Sequence, residues 1–207
     1  MILLDVFQDP VCPWCHLGKH YLAGALAATP AAVSVRQRAY LLNDRIPAAG
    51  VDYRTYMESV VGGPARLEAA WARLTQLGAA AGAAFNFGRI RFMPDSHLAL
   101  RLIAGTPPAQ QSVFTDRITQ AYFEHGEDIG RLDVLLALAA EITLDTNHLR
   151  VAARDPATAA AVRDDVRRAR ALGVTGVPAA IVAGQIIVGA QPPEVWRRLL
   201  TQPAALN

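Results

Sequence analysis

The 207-residue chain has two cysteines, one lysine and no long apolar run, and each shortage removes a class of protein. No stretch reaches the 18 or so apolar residues that a membrane span needs. The chain begins Met1–Phe7 without a charged n-region or a long apolar h-region, so no signal peptide is expected and the expected address is cytoplasmic. Basic runs are missing too. The densest, Arg163 to Arg170, alternates with Asp164 and Asp165, which is a solvated helix face and not a nucleic-acid footprint. No Gly-rich phosphate loop appears, so neither a nucleotide nor a flavin is expected. Charged residues are only 18% and hydrophobic ones 52%, which excludes a disordered chain. The formal net charge is +2; nearly all the positive charge is arginine, 19 against the single Lys19. With 39 alanines, that bias is the mark of a GC-rich genome and not of a binding strategy.

What is present fits one domain, or one domain with a sizeable insertion. Residues 2–7 form a short apolar run broken only by Asp5, which suits a buried strand. Asp9-Pro10 makes a loop, and from Pro13 to Ala28 the positions Trp14, Leu17, Tyr21 and Ala25 repeat at helical spacing. Thr29-Pro30 stops that helix. Val33 to Tyr40 alternates apolar with polar and predicts a second strand. About a hundred residues of helical pattern follow: one helix opened by Gly63-Pro64, one capped at Asp95-Ser96, one through Phe114 and Ile118 to Gly126, one through Leu132 and Leu135. Asp155-Pro156 starts another, ended by Gly173. Ala179–Ala183 and Ile186–Val188 flank Gly184-Gln185, read as a Gly-first hairpin turn, and Pro192-Pro193 begins a last helix. This order predicts an α/β fold in which residues 1–45 and 151–207 complete one sheet, with a helical domain inserted at 46–150.

The two cysteines stand as Cys12-Pro13-Trp14-Cys15. Zinc needs two further ligands, and His16 and His20 sit on the same two turns of helix, a poor tetrahedral set. Cys12-Pro13-Trp14-Cys15-His16 also fits the haem-attachment pattern, which implies export. An accidental pair of half-buried thiols is the bland reading. The redox reading rests on placement. Proline belongs at the first helical position, so Cys12 falls at the N-cap, where unpaired N–H groups and the helix dipole favour a thiolate. Cys12 is expected to be accessible and the more exposed of the two, with Cys15 one turn inside as the resolving thiol.

The stretch Asp9-Pro10-Val11-Cys12-Pro13-Trp14-Cys15, followed by Leu17-Gly18-Lys19, resembles the active-site signature of DsbA-type, FrnE-like thiol–disulfide oxidoreductases. Gly173-Val174-Thr175-Gly176-Val177-Pro178 resembles that family's cis-proline loop, and Gly189-Ala190-Gln191-Pro192 the segment after its terminal hairpin. Looser likenesses are Leu41-Leu42-Asn43, Ser96-His97-Leu98 and the stretch from Tyr122-Phe123-Glu124 to Asp128-Ile129. The resemblance implies a thioredoxin-like fold with a large inserted α-helical domain. It also implies disulfide exchange on protein or small thiol substrates, glutathione among the candidates, with no cofactor and no metal. Two departures matter. No cysteine follows Cys15, which excludes a relay to a second internal disulfide. Trp14 stands where the periplasmic enzymes carry histidine, so the pair is expected to be a weaker oxidant.

Roles follow for individual residues. Cys12 attacks and Cys15 resolves; Pro13, Trp14, Val177, Pro178 and, by resemblance, His97 contact substrate. A cis Val177–Pro178 bond would expose the Val177 backbone to an extended substrate. Asp5 either takes the proton of Cys15 or sits at a solvated strand position. His16 either tunes the thiols by its charge or stands exposed and idle. Trp71, Trp196 and Phe85-Asn86-Phe87 are core or groove wall. The same architecture resembles the 2-hydroxychromene-2-carboxylate isomerases and kappa-class glutathione transferases, which place serine at the first cysteine. A redox-inactive chaperone or interaction module is a further reading.

Overall fold

A computed structural model describes residues 1–29 and 32–201. Pro30, assigned above to a helix stop, lies outside them. Strand β1 (Ile2–Gln8) leads to α1 (Pro13–Ala27) and β2 (Val33–Ala39). A helical stretch follows: α2 (Tyr53–Val61), α3 (Pro64–Ala81), α4 (His97–Gly105), α5 (Pro108–Gln120), α6 (Leu132–Glu141) and α7 (Thr146–Ala152). The chain then runs through α8 (Pro156–Ala171), β3 (Ala179–Val182), β4 (Gln185–Val188) and α9 (Pro193–Thr201).

The sheet order is β2-β1-β3-β4, with β1 parallel to β2 and the other neighbours antiparallel. This is the α/β, thioredoxin-like arrangement, with most of the helices between β2 and α8. Alternation along β1 sends its side chains to two faces. Leu4 packs with Leu22, Ala25, Trp196 and Leu200 beneath α1 and α9. Phe7 packs with Ala169 and Val174 at α8. The helical region has its own large core, built on Leu102, Phe114, Ile118, Phe123 and Leu135, and that core runs on to Val11 and Leu17 around α1. The active-site loop is thus wedged between the two cores.

Four local readings change. Helices α2 and α7 lack a long apolar stripe and escaped periodicity; each is instead started by an aspartate cap, Asp52 to Thr55 N–H and Asp145 to Asn147 and His148 N–H. The helical interval also holds a two-stranded ribbon, Val51–Asp52 with Phe92–Met93, apart from the main sheet. Helix α5 continues into a π-helical turn over Ala121–His125, ended by Gly126 at φ 73°. The hairpin turn is Ala183-Gly184, both left-handed (φ 49° and 78°), one residue earlier than the Gly-first reading.

Candidate active site

Cys12 is the N-cap of α1 and Pro13 its first helical residue. The cap is made by sulfur: Cys15 N–H donates to Cys12 Sγ at 3.4 Å. Placing the two cysteines three apart across the first turn therefore brings Cys15 back beneath Cys12. Both are free thiols. Cys12 Sγ also donates to the Val177 carbonyl at 3.5 Å, which sets the loop before β3 against the thiol. The Val177–Pro178 peptide is cis. Gly18, one turn below Cys15, admits that loop: a Cβ there would lie 3.1 Å from Pro178 Cγ and 3.4 Å from Ala190.

Exposure differs from expectation. Cys12 is 3% and Cys15 2% exposed, so neither thiol stands out to solvent. The α1 N-terminus is sunk between the helical core and the Val177–Pro178 loop, which covers what a free helix end would show. Trp14 is half-buried against the helical core, with the Arg73 guanidinium 5.7 Å from its ring centroid. Farther along α1, Lys19 Nζ donates to Thr119 Oγ1 at 2.7 Å and pairs with Asp116 at 3.1 Å, tying α1 to α5.

Asp5 is not at the thiols. It shares the Phe7 face of β1, toward α8, and is held by Arg36 (2.7 and 2.8 Å), Arg38 (3.0 Å) and Arg168 (3.6 Å). Burial raises its pKa, but the bonds and charges of Arg36 and Arg38 outweigh that and hold it below the ordinary carboxylate value. An ionised carboxylate pinned by three guanidiniums is a fold element, not a proton carrier.

His16 is neither exposed nor charged. It is fully buried, stacked at 5.2 Å on Phe123 and edge-on to Phe85 and His20, with Nε2 3.2 Å from the Ala84 carbonyl. Burial, with Lys19 and His20 near it, pushes its pKa down to about 3, so it is a neutral aromatic at physiological pH. Its place in the sequence beside Cys15 misled: one helix position rotates the ring about 100° away, into the core.

The acid beside the thiols is Asp9, a turn residue at the head of the signature-like stretch to which the sequence assigns no separate role. It is fully buried. Its Oδ1 accepts from Val11 N–H at 3.3 Å and its Oδ2 from Leu42 N–H at 2.9 Å. Burial pushes its pKa up to about 6 against those bonds and the nearby His97. Burial likewise pushes the Cys15 thiol well up; the Cys12 sulfur and the Asp9 charge add to this, and a backbone bond from Asp9 opposes it. The Asx bond to Val11 is visible in the sequence as Asp-Pro turn chemistry, but the bond to Leu42, 33 residues on, is not. His97 starts α4 at this edge, with Nδ1 2.6 Å from Asp95 Oδ1 and a side chain 41% exposed.

The structure thus gathers Cys12, Pro13, Trp14, Cys15, Val177 and Pro178, adds Asp9 beneath them, leaves His97 at the rim, and sends Asp5 and His16 elsewhere. Among the described residues, no group of three or more His, Cys, Asp or Glu side chains is arranged to hold a metal ion. No helix described is long and apolar enough to cross a membrane.

Known proteins share this fold. The chain superposes on a probable DsbA oxidoreductase from Streptomyces coelicolor with a TM-score of 0.88 at 28% identity, over 98% of this chain and 89% of that one. The cytosolic disulfide reductase DsbM of Pseudomonas aeruginosa shares the fold, with a TM-score of 0.70 at 24% identity over 96% of each chain. YwbO of Bacillus subtilis is 23% identical over 200 residues, 96% of this chain and 95% of that protein. With the family's sequence pattern matching residues 3–201, the chain belongs to the DSBA-like thioredoxin domain family.

Proposed function

We propose that the protein is a cytoplasmic, FrnE-like dithiol–disulfide oxidoreductase working through Cys12-Pro13-Trp14-Cys15. The observation that carries the reading is the N-cap sulfur: Cys12 Sγ is bonded by Cys15 N–H at 3.4 Å, at the positive end of α1. A thiolate there is stabilised by the same N–H. It attacks a substrate disulfide, one substrate sulfur leaves as thiolate, and a mixed disulfide forms on Cys12. Cys15 then attacks Cys12 sulfur, releasing the second substrate thiolate and closing the internal disulfide.

Resolution requires Cys15 to lose its proton inside a dry site. Asp9 is the acceptor: ionised at neutral pH with a pKa about 6, buried at the same helix start, and held by two N–H donors. Burial keeps the Cys15 thiol protonated until Cys12 carries the substrate, and the proton then leaves to the nearby carboxylate. Pro178 and Val177 would offer main chain to an extended substrate, Pro13 and Trp14 would flank it, and His97 would lie at its edge. Residues 46–150 would form the inserted helical wall of the groove.

Substrates are thiols or disulfides, protein or small. Glutathione enters as a candidate partner because DsbM, the cytosolic reductase, also has a structure with GSH. That likeness supports the cytoplasmic address as well. The test is insulin reduction and dithiol oxidation by wild type against Cys12→Ser, with glutathione binding measured alongside. Loss of both activities in Cys12→Ser is expected. Glutathione-dependent turnover that survives Cys15→Ser would instead indicate an isomerase or transferase. A function that survives loss of both thiols would indicate a chaperone.

A further inference from the structure

Flanking the active-site loop, against Val11 and Pro13, lies a cleft of about 290 Å³ with Asp9 in its floor. Its walls are Leu42, Ile46, Met57, Val60 and Met93. Its other polar groups are uncharged. Asn43 Nδ2 donates to the Tyr56 hydroxyl at 3.1 Å, so those two satisfy each other across the wall. No lysine or arginine lines it. At the rim, Leu42 and Val60 are 47% and 58% exposed, two large aliphatic side chains left in water beside one opening.

We infer that this cleft is the subsite for the group carried on the substrate sulfur, and that this group is small, uncharged and apolar. The inference rests on the thiol-exchange reading and names its substrate class: low-molecular-weight alkyl or aryl thiols and their disulfides. Position comes first. Val11 and Pro13, the chain neighbours of Cys12 on either side, both line the cleft, which sets it beside the residue that would carry the substrate sulfur. Size is the second point, since the volume is at the lower end for small-molecule sites. Two methionines let the walls adapt to different apolar shapes. Charge decides against an anionic partner in this subsite: a carboxylate placed there meets Asp9 and no lysine or arginine. Access points the same way, because both thiols are at most 3% exposed, so a small disulfide reaches them more readily than one fixed on a rigid protein surface.

In the reductive direction an alkyl thiolate attacks Cys12 sulfur in the Cys12–Cys15 disulfide. The internal S–S bond breaks, an alkyl–Cys12 disulfide forms, and Cys15 leaves as thiolate and takes a proton. A second alkyl thiolate attacks the alkyl sulfur, giving dialkyl disulfide and the Cys12 thiolate; two thiols have lost the two electrons the pair has gained.

The test uses the oxidised full-length protein and two thiols of similar basicity, butane-1-thiol and 3-mercaptopropionate. Reduction is followed by stopped-flow fluorescence, with each rate normalised to that thiol's rate on 2-hydroxyethyl disulfide. The expected preference for butanethiol is about tenfold, the factor that burial of one or two methylenes gives. It should fall to about twofold or less in Leu42→Gln/Val60→Gln, two exposed positions that tolerate glutamine. It should persist in Val151→Gln, a 69% exposed control on α7. Equal normalised rates in wild type, or a preference intact in the double variant, would overturn the subsite. Failure of dithiothreitol to reduce the pair at all would overturn the exchange reading itself.

Discussion

Asp9 and Cys15 are both buried at the start of α1, and burial raises the pKa of each. Asp5, four residues earlier on the same segment, has no such relation: it faces α8 and three arginines. On the proposed exchange, the proton of the resolving thiol goes to the first carboxyl, Asp9, and the second, Asp5, belongs to the fold.

Replacing Asp9 by asparagine should slow resolution of the mixed disulfide on the order of 10²-fold while leaving the first attack by Cys12 nearly unchanged. Rapid-mix quench with mass detection of the adduct separates the two steps. The same variant should alter the pH dependence of stability. The Asp9 pKa is raised from 3.8 to about 6. A raised carboxyl gives its full stabilisation below the unfolded value and loses it as pH climbs through the folded one. Wild type should therefore lose up to about 3 kcal/mol relative to Asp9→Asn between roughly pH 4 and 6, and no more above that. Urea unfolding across that interval reads it; a flat difference would mean that Asp9 is not buried as described.

Asp5→Asn should do the opposite: weaken the fold by about 2–3 kcal/mol at neutral pH, since guanidiniums lose their partner, with exchange rates little altered. Its lowered pKa means that this contribution is present above the ordinary carboxylate value and is lost as pH falls through the depressed one. Denaturant midpoints at pH 7 and pH 3 check it. A large loss of exchange activity in a folded Asp5→Asn would return Asp5 to the proton path.

Much of this was legible in the sequence. Cys12 at the N-cap follows from Pro13, and the outer βαβ, hairpin and last helix follow from periodicity and turn residues. Two of the missed helices are marked by aspartate caps and not by apolar stripes, and the hairpin turn was misplaced because Ala183 adopts a left-handed backbone that alanine rarely takes. Asp5, His16 and Asp9 went astray for one reason: nearness in sequence is not nearness in space. Strand alternation turns Asp5 away, helix rotation turns His16 away, and a loop closed by the distant Leu42 N–H folds Asp9 in.

Trp14→His should make the pair a stronger oxidant, by on the order of 30 mV, which is tenfold in the equilibrium with glutathione. An imidazolium between the cysteines would stabilise the Cys12 thiolate and hence the reduced form. Equilibration of both forms with glutathione buffers measures it. An unchanged potential would show that position 14 acts through its packing beneath Arg73 alone.

The central claim is that Cys12 attacks and Cys15 resolves. Its most direct measurement is intact-mass and peptide mapping of Cys15→Ser and Cys12→Ser after brief exposure to a small disulfide. A stable single adduct is expected on Cys12 in Cys15→Ser, and little or none on Cys15 in Cys12→Ser. Equal labelling of the two variants, or an adduct on Cys15 alone, would contradict it.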